Sequence, residues 1–112
     1  MLPVAILNPP REFRCPPRFP RMPTVKHLVI TGRVQGVGFR MYMERTAREL
    51  GINGWVRNRR DGSVEAVVSG APDAVDRIVE WSRRGPRAAV VADVQVSEAS
   101  GSYGSFETLP TA

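Results

Sequence analysis

The stretch VKHLVITGRVQGVGFRMYMERTAREL, Val25–Leu50, contains the change of periodicity on which the fold turns. Val25–Val34 is rich in β-branched residues and partly alternating, the pattern of a strand. Phe39–Leu50 places Phe39, Met43, Thr46, Ala47 and Leu50 at helical spacing, and Gly51 follows where a left-handed C-terminal cap would stand. Between them, Gln35–Gly38 is punctuated by Gly36 and Gly38 and cannot easily continue the strand. A strand that enters a helix through such a turn leaves the helix's first N–H groups without intrahelical partners, all at the turn.

Farther along, Gly54–Asn58 reads as a short strand carrying Trp55. The Asp61-Gly62 pair in Arg59–Gly62 signals a turn, and Val64–Val68 is the return strand of that hairpin. Pro72 and Asp73 suit the first turn of a second helix whose inner face would be Val75, Ile78, Val79 and Ser82. Arg83 and Arg84 complement the dipole of its last turn, and Gly85-Pro86 ends it. Ala89–Val96 is a further strand, with Val90, Val94 and Val96 available for one face. Ser100–Ser105 is a polar loop, and Phe106–Leu109 is a short edge strand. The order is βαββαβ plus that edge strand. Its natural packing is an α+β, ferredoxin-like split βαβ sandwich, with two helices on one face of an antiparallel or mixed sheet.

Composition bounds the rest. A chain of 112 residues suits one domain. Seven of its ten prolines fall within Met1–Thr24, whereas every glycine lies from Gly32 onward. Four arginines against Glu12 give Met1–Thr24 a charge of +3 and leave +2 of the total +5 to Val25–Ala112. Residues 1–24 are therefore expected to be an extended or disordered Pro/Arg-rich tail, with Met22 as an alternative start, and residues 25–112 to be the folded domain. Pro3 interrupts the apolar Met1–Leu7 run, which is too short for a secretory or membrane segment. Cys15 is the sole cysteine and His27 the sole histidine, so no internal disulfide, Cys-based zinc site or multi-His metal site is possible. A cytoplasmic setting is expected.

The Gly32–Arg40 segment, GRVQGVGFR, is the candidate for chemistry. Its glycines let backbone amides approach a ligand, and the helix start adds a positive dipole end, which together make a nest for an anion. A purely structural turn is the competing reading. The segment is neither GxxxxGK[ST] nor GxGxxG, since Met41 stands at the third glycine position. Arg40 opposes the helix dipole, a tolerated cost if it is solvated, but beside the nest its guanidinium can grip a phosphate bidentately. Asn58 is either a turn residue or an orienting group. In the split packing the first two strands run parallel about 10 Å apart, so their C-terminal ends share one edge of the sheet. An amide there can accept from and donate to one water molecule. The cluster Arg57, Arg59 and Arg60 would flank this site and favour anion encounter. His27 reads as a strand side chain, and Trp55 and Trp81 as packing residues. No paired carboxylates accompany the nest, so neither a metal-assisted nor a two-carboxylate hydrolase is indicated.

GRVQGVGFR (Gly32–Arg40) and GWVRNRRDGSVEAVVSG (Gly54–Gly70) together resemble the two signatures of the acylphosphatase family, and EWSRRGP (Glu80–Pro86) resembles the end of its second helix. The resemblance covers about Val25–Phe106. It implies hydrolysis of small-molecule acyl phosphates to a carboxylate and inorganic phosphate, with no metal, cofactor or covalent intermediate. It also implies a phosphate-binding loop of Gln35, Gly36, Val37, Gly38, Phe39 and Arg40, with Arg40 as the catalytic arginine and Asn58 orienting the water. No membrane or nucleic-acid partner is expected, and a monomer is. The competing class is a non-catalytic anion- or nucleic-acid-binding ferredoxin-like module, for which a basic chain argues and the lack of aromatics in KHLVITGRV and EAVVSG argues against.

Overall fold

A computed structural model describes residues 23–112; the expectations for the Met22 start, Cys15 and residues 1–22 of the 1–24 tail lie outside the described part, and Thr24, assigned to that tail, is the first residue of a strand. The described elements are β1 (Thr24–Arg33), α1 (Phe39–Leu50), β2 (Asn53–Asn58), β3 (Val64–Gly70), α2 (Pro72–Arg84), β4 (Val90–Glu98) and β5 (Phe106–Thr108). The strands form one sheet in the order β4-β1-β3-β2-β5. Neighbours are antiparallel except β2 and β5, which are parallel. β1 and β2 thus run in the same direction with β3 between them, the split βαβ arrangement expected from the element order.

Alternation explains the layering. Leu28 and Ile30 of β1, Val56 of β2, and Val64, Ala66 and Val68 of β3 turn to one face and meet Phe39, Met43 and Ala47 of α1 and Val75 and Ile78 of α2. The two helices lie together on that face, with Phe39 packed edge-on against Trp81 at a centroid distance of 5.3 Å. Gly51 ends α1 in the left-handed conformation, its N–H bonded back to the last turn. β3, in mid-sheet, buries Val67 and Ser69 of its other face as well.

β4 departs from the expected strand. The pairing of β1 with β4 skips Ala92, because Thr31 faces Asp93 while Gly32 faces Val91. This bulge reverses alternation, so Val91 rather than Val90 packs on the core together with Val94, and Val90 is 62% exposed. Of Val90, Val94 and Val96, expected on one face, Val94 and Val96 do share a side, opposite Ile30 and Leu28, and Val90 does not. Gly32 is required by the bulge: a Cβ there would lie 2.3 Å from the Val90 carbonyl oxygen, at a φ of +123°.

The face away from the helices carries a charged cluster. Glu65 Oε2 lies 2.7 Å from His27 Nε2, and its Oε1 accepts from Arg57 Nε at 2.8 Å. The Arg57 guanidinium also lies 4.9 Å from the Trp55 ring centre. Burial pushes the Glu65 carboxyl up, but the hydrogen bonds and charges of His27 and Arg57 outweigh it and hold the group below its ordinary range. A carboxylate held down in the fold stabilises it fully above the ordinary carboxylate pKa, and that contribution is lost as pH falls through the lowered value. Between about pH 6 and pH 3, the urea midpoint of the wild type should therefore fall more steeply than that of Glu65→Gln. Parallel curves would show that Glu65 contributes nothing to the acid sensitivity.

Candidate active site

The connection from β1 to α1 begins at Val34, whose side chain is buried, and turns through Gln35–Gly38. Gly36 and Gly38 both adopt the left-handed region, with φ of 75° and 80°. For Gly36 this conformation is the whole requirement, since nothing lies within 4 Å of where a Cβ would stand. Gly38 is the N-cap of α1, no side chain among the described residues caps the helix, and its first turn holds no acidic residue. The amides at this end are thus free of side-chain competitors, and the positive end of the dipole is unopposed by a carboxylate. Gln35 fixes the loop to the neighbouring hairpin: its Nε2 donates to the carbonyl oxygens of Arg59 at 2.7 Å and Ser63 at 2.9 Å. The hairpin turn is itself held by Asp61 Oδ1, which accepts from Ser63 N and Ser63 Oγ; these bonds lower the Asp61 pKa.

Burial of Phe39 under α2 sets the rotation of α1 and leaves Arg40 half-buried beside the loop. Arg40 Nη1 donates to the Leu109 carbonyl at 3.4 Å, a long contact. Asn58 is the last residue of β2, and its carbonyl oxygen accepts from Ala112 N at 3.0 Å. Arg40 and Asn58 line the same cavity of about 330 Å³, together with Gly36, Gly38 and Phe39. Gln35 and Val37 are not in its wall: the Gln35 side chain is spent on the hairpin, and Val37 packs against the core.

Sequence reasoning missed several groups here. Glu44 also lines the cavity, one helical turn beyond Arg40, and the spacing of four residues on a recognised helix was a signal that could have found it. Thr108 lines it too, donating to Glu44 Oε1 at 2.6 Å. Leu109–Ala112 follows β2 closely, with Leu109 N bonded to Val56 O and Arg60 N to Ala112 O. Such backbone pairing leaves no side-chain pattern to read. The basic cluster needs correction, because Arg57 is committed to Glu65 and Trp55 on the sheet's open face. Arg59 and Arg60 lie in the hairpin turn, outside the wall of this cavity.

Among the described residues, no three His, Cys, Asp or Glu side chains gather as a metal-ligand set. No helix among them is long and apolar enough to cross a membrane. The arrangement offers an uncapped helix start, a planar cation and a neutral amide around one open cavity. That set can hold a tetrahedral oxyanion and one water beside it.

The family model described as acylphosphatase matches residues 26–108. An acylphosphatase of Thiobacillus denitrificans is 57% identical over 81 residues, covering 72% of this chain and 91% of the relative. The structure of an acylphosphatase from Coxiella burnetii superposes with a TM-score of 0.76 at 36% identity, over 79% of this chain and 94% of that one. The crystal structure of acylphosphatase from Bacillus subtilis gives 0.74 at 33% identity, over 79% and 99%.

Proposed function

The chain belongs to the acylphosphatase family and hydrolyses acyl phosphates, and we propose that Arg40 and the amides of Gln35–Arg40 hold the phosphoryl group while Asn58 orients the attacking water. The observation that carries this reading is the meeting of Arg40 and Asn58 in one cavity at an uncapped helix start. Phosphoryl transfer proceeds through a loose transition state whose charge is spread over the non-bridging oxygens, so positioning and electrostatics supply most of the catalysis. Arg40 offers a planar donor fork, and the loop amides offer fixed dipoles that need no reorganisation during reaction. With positive charge supplied in this way, the chemistry runs without a metal ion.

The bond changes balance simply. The water oxygen bonds to phosphorus as the bond from phosphorus to the acyl oxygen breaks, and the electron pair leaves with the carboxylate. The water's protons stay with the phosphate, so an acyl phosphate dianion and water give a carboxylate and dihydrogen phosphate. A carboxylate is a weak base with a pKa of about 4 and departs without a general acid. Asn58 accepts a hydrogen bond from the water through its side-chain oxygen and fixes the direction of attack.

We propose a monomer acting on small-molecule acyl phosphates, with no nucleic-acid partner because β1 and β3 carry no Phe, Tyr or Trp on which bases could stack. The single cysteine suits a reducing, cytoplasmic compartment. Hydrolysis of benzoyl phosphate in ¹⁸O-labelled water tests the direction of attack. All of the label should appear in phosphate. Label in benzoate would place attack at the acyl carbon and remove the roles given to Arg40 and Asn58.

A further inference from the structure

We propose that Gln35 is a positioning residue of the reaction: its side-chain amide ties the phosphate loop to the strand end that carries Asn58, and so sets the distance between the phosphoryl group and the attacking water. This rests on the roles given to Arg40 and Asn58. The two halves of the site come from different parts of the chain. Gly36, Gly38 and Arg40 reach the cavity from the connection between β1 and α1 and the helix start that follows it, whereas Asn58 reaches it from the end of β2. Val34 and Val37 hold the connection on the core. Among the described residues, its only hydrogen bonds to the hairpin are the two from Gln35 Nε2, to the carbonyl oxygens of Arg59 at 2.7 Å and Ser63 at 2.9 Å. Arg59 directly follows Asn58, so the tie closes one residue from the group it places.

Two carbonyl oxygens face the amide nitrogen, and its two N–H groups match them one to one. The hairpin itself does not need these bonds. Arg59 O also accepts from Gly62 N at 3.1 Å, and Ser63 O from Arg59 N at 2.9 Å. Asp61 Oδ1 holds the same turn through the backbone N–H and hydroxyl of Ser63. Neither carbonyl is therefore left unpaired when the Gln35 amide is removed, and the cost to stability is correspondingly small. What is lost is the link between the turn and the phosphate loop.

Gln35→Met keeps the length of the side chain and removes both donors. With benzoyl phosphate as substrate its kcat should fall roughly 10–100-fold, the scale on which a displacement of about 1 Å affects rate. Inhibition by inorganic phosphate should stay within about threefold of wild type, because the loop amides and Arg40 lie on one continuous segment and still grip the anion together. A double-mutant cycle with Asn58→Ala separates positioning from a merely structural role. If Gln35 acts through the placement of Asn58, the double variant should be less than about threefold slower than Asn58→Ala alone. Losses that multiply, or a wild-type kcat in Gln35→Met, overturn the proposal. Should Gln35→Met fold poorly, Gln35→Glu gives a second reading. It should be slow near neutral pH and regain activity relative to wild type as pH falls toward about 5, where its carboxyl, pushed up by the two facing carbonyl oxygens, protonates and donates one bond again. A ratio that stays flat with pH counts against the proposal. An Asn58→Ala variant with wild-type kcat would instead overturn the reading of the site on which it rests.

Discussion

Replacing Arg40 by Ala should reduce kcat/KM for benzoyl phosphate by roughly 10²–10³-fold, the loss typical when one preorganised donor to a developing oxyanion is removed. Arg40 stands in the first turn of α1, where a cation opposes the helix dipole. Its one side-chain hydrogen bond among the described residues, to the Leu109 carbonyl, is a long 3.4 Å. Neither contact gives stability a strong claim on the residue, so the thermal midpoint of Arg40→Ala should stay close to that of the wild type. That contrast between a large catalytic loss and a small stability change is what a phosphoryl-gripping role requires. Arg40→Lys should recover little, because an ammonium keeps the charge but lacks the planar fork that meets two phosphate oxygens at once. Full recovery by Lys would mean that charge alone matters and that the bidentate geometry is irrelevant.

Asn58→Ala should lower kcat by about 100-fold, the scale on which misplacing a reacting group affects rate, while inhibition by inorganic phosphate changes little. Asn58 lies across the cavity wall from the loop rather than within it, at the end of a strand held on one side by β3 and on the other by the Ala112 amide. Its backbone pairing survives the substitution, so the strand end keeps its place and only the side-chain amide is lost. A group that orients water acts on the transition state and contributes little to binding the product anion. If phosphate inhibition weakens in parallel with kcat, Asn58 binds the phosphoryl group and the water must be placed by another residue.

The extent to which this molecule was legible from its residues differs from element to element. Both ends of α1 were readable because Gly38 and Gly51 mark them with conformations that other residues rarely adopt. The convergence of Arg40 and Asn58 was readable because the order of elements forces β1 and β2 into parallel alignment. The inner face of β4 was not, since a bulge at Ala92 breaks the alternation on which such a reading depends, and it is fixed by pairing with a distant strand. The fate of Arg57 was equally hidden: a basic run looks the same whether its members face an anion site or a half-buried carboxylate on the opposite face of the sheet. Glu44 lay within reach of helical periodicity, but the Thr108 hydroxyl that holds it arrives from the far end of the folded part.

The most direct test of the central claim is hydrolysis of benzoyl phosphate in excess EDTA, with wild type beside Arg40→Ala and both shown to be folded by circular dichroism. Turnover by the wild type should be undiminished by the chelator and nearly absent in the variant. Activity that EDTA abolishes, or that survives the loss of Arg40, would contradict a metal-free reaction centred on that guanidinium.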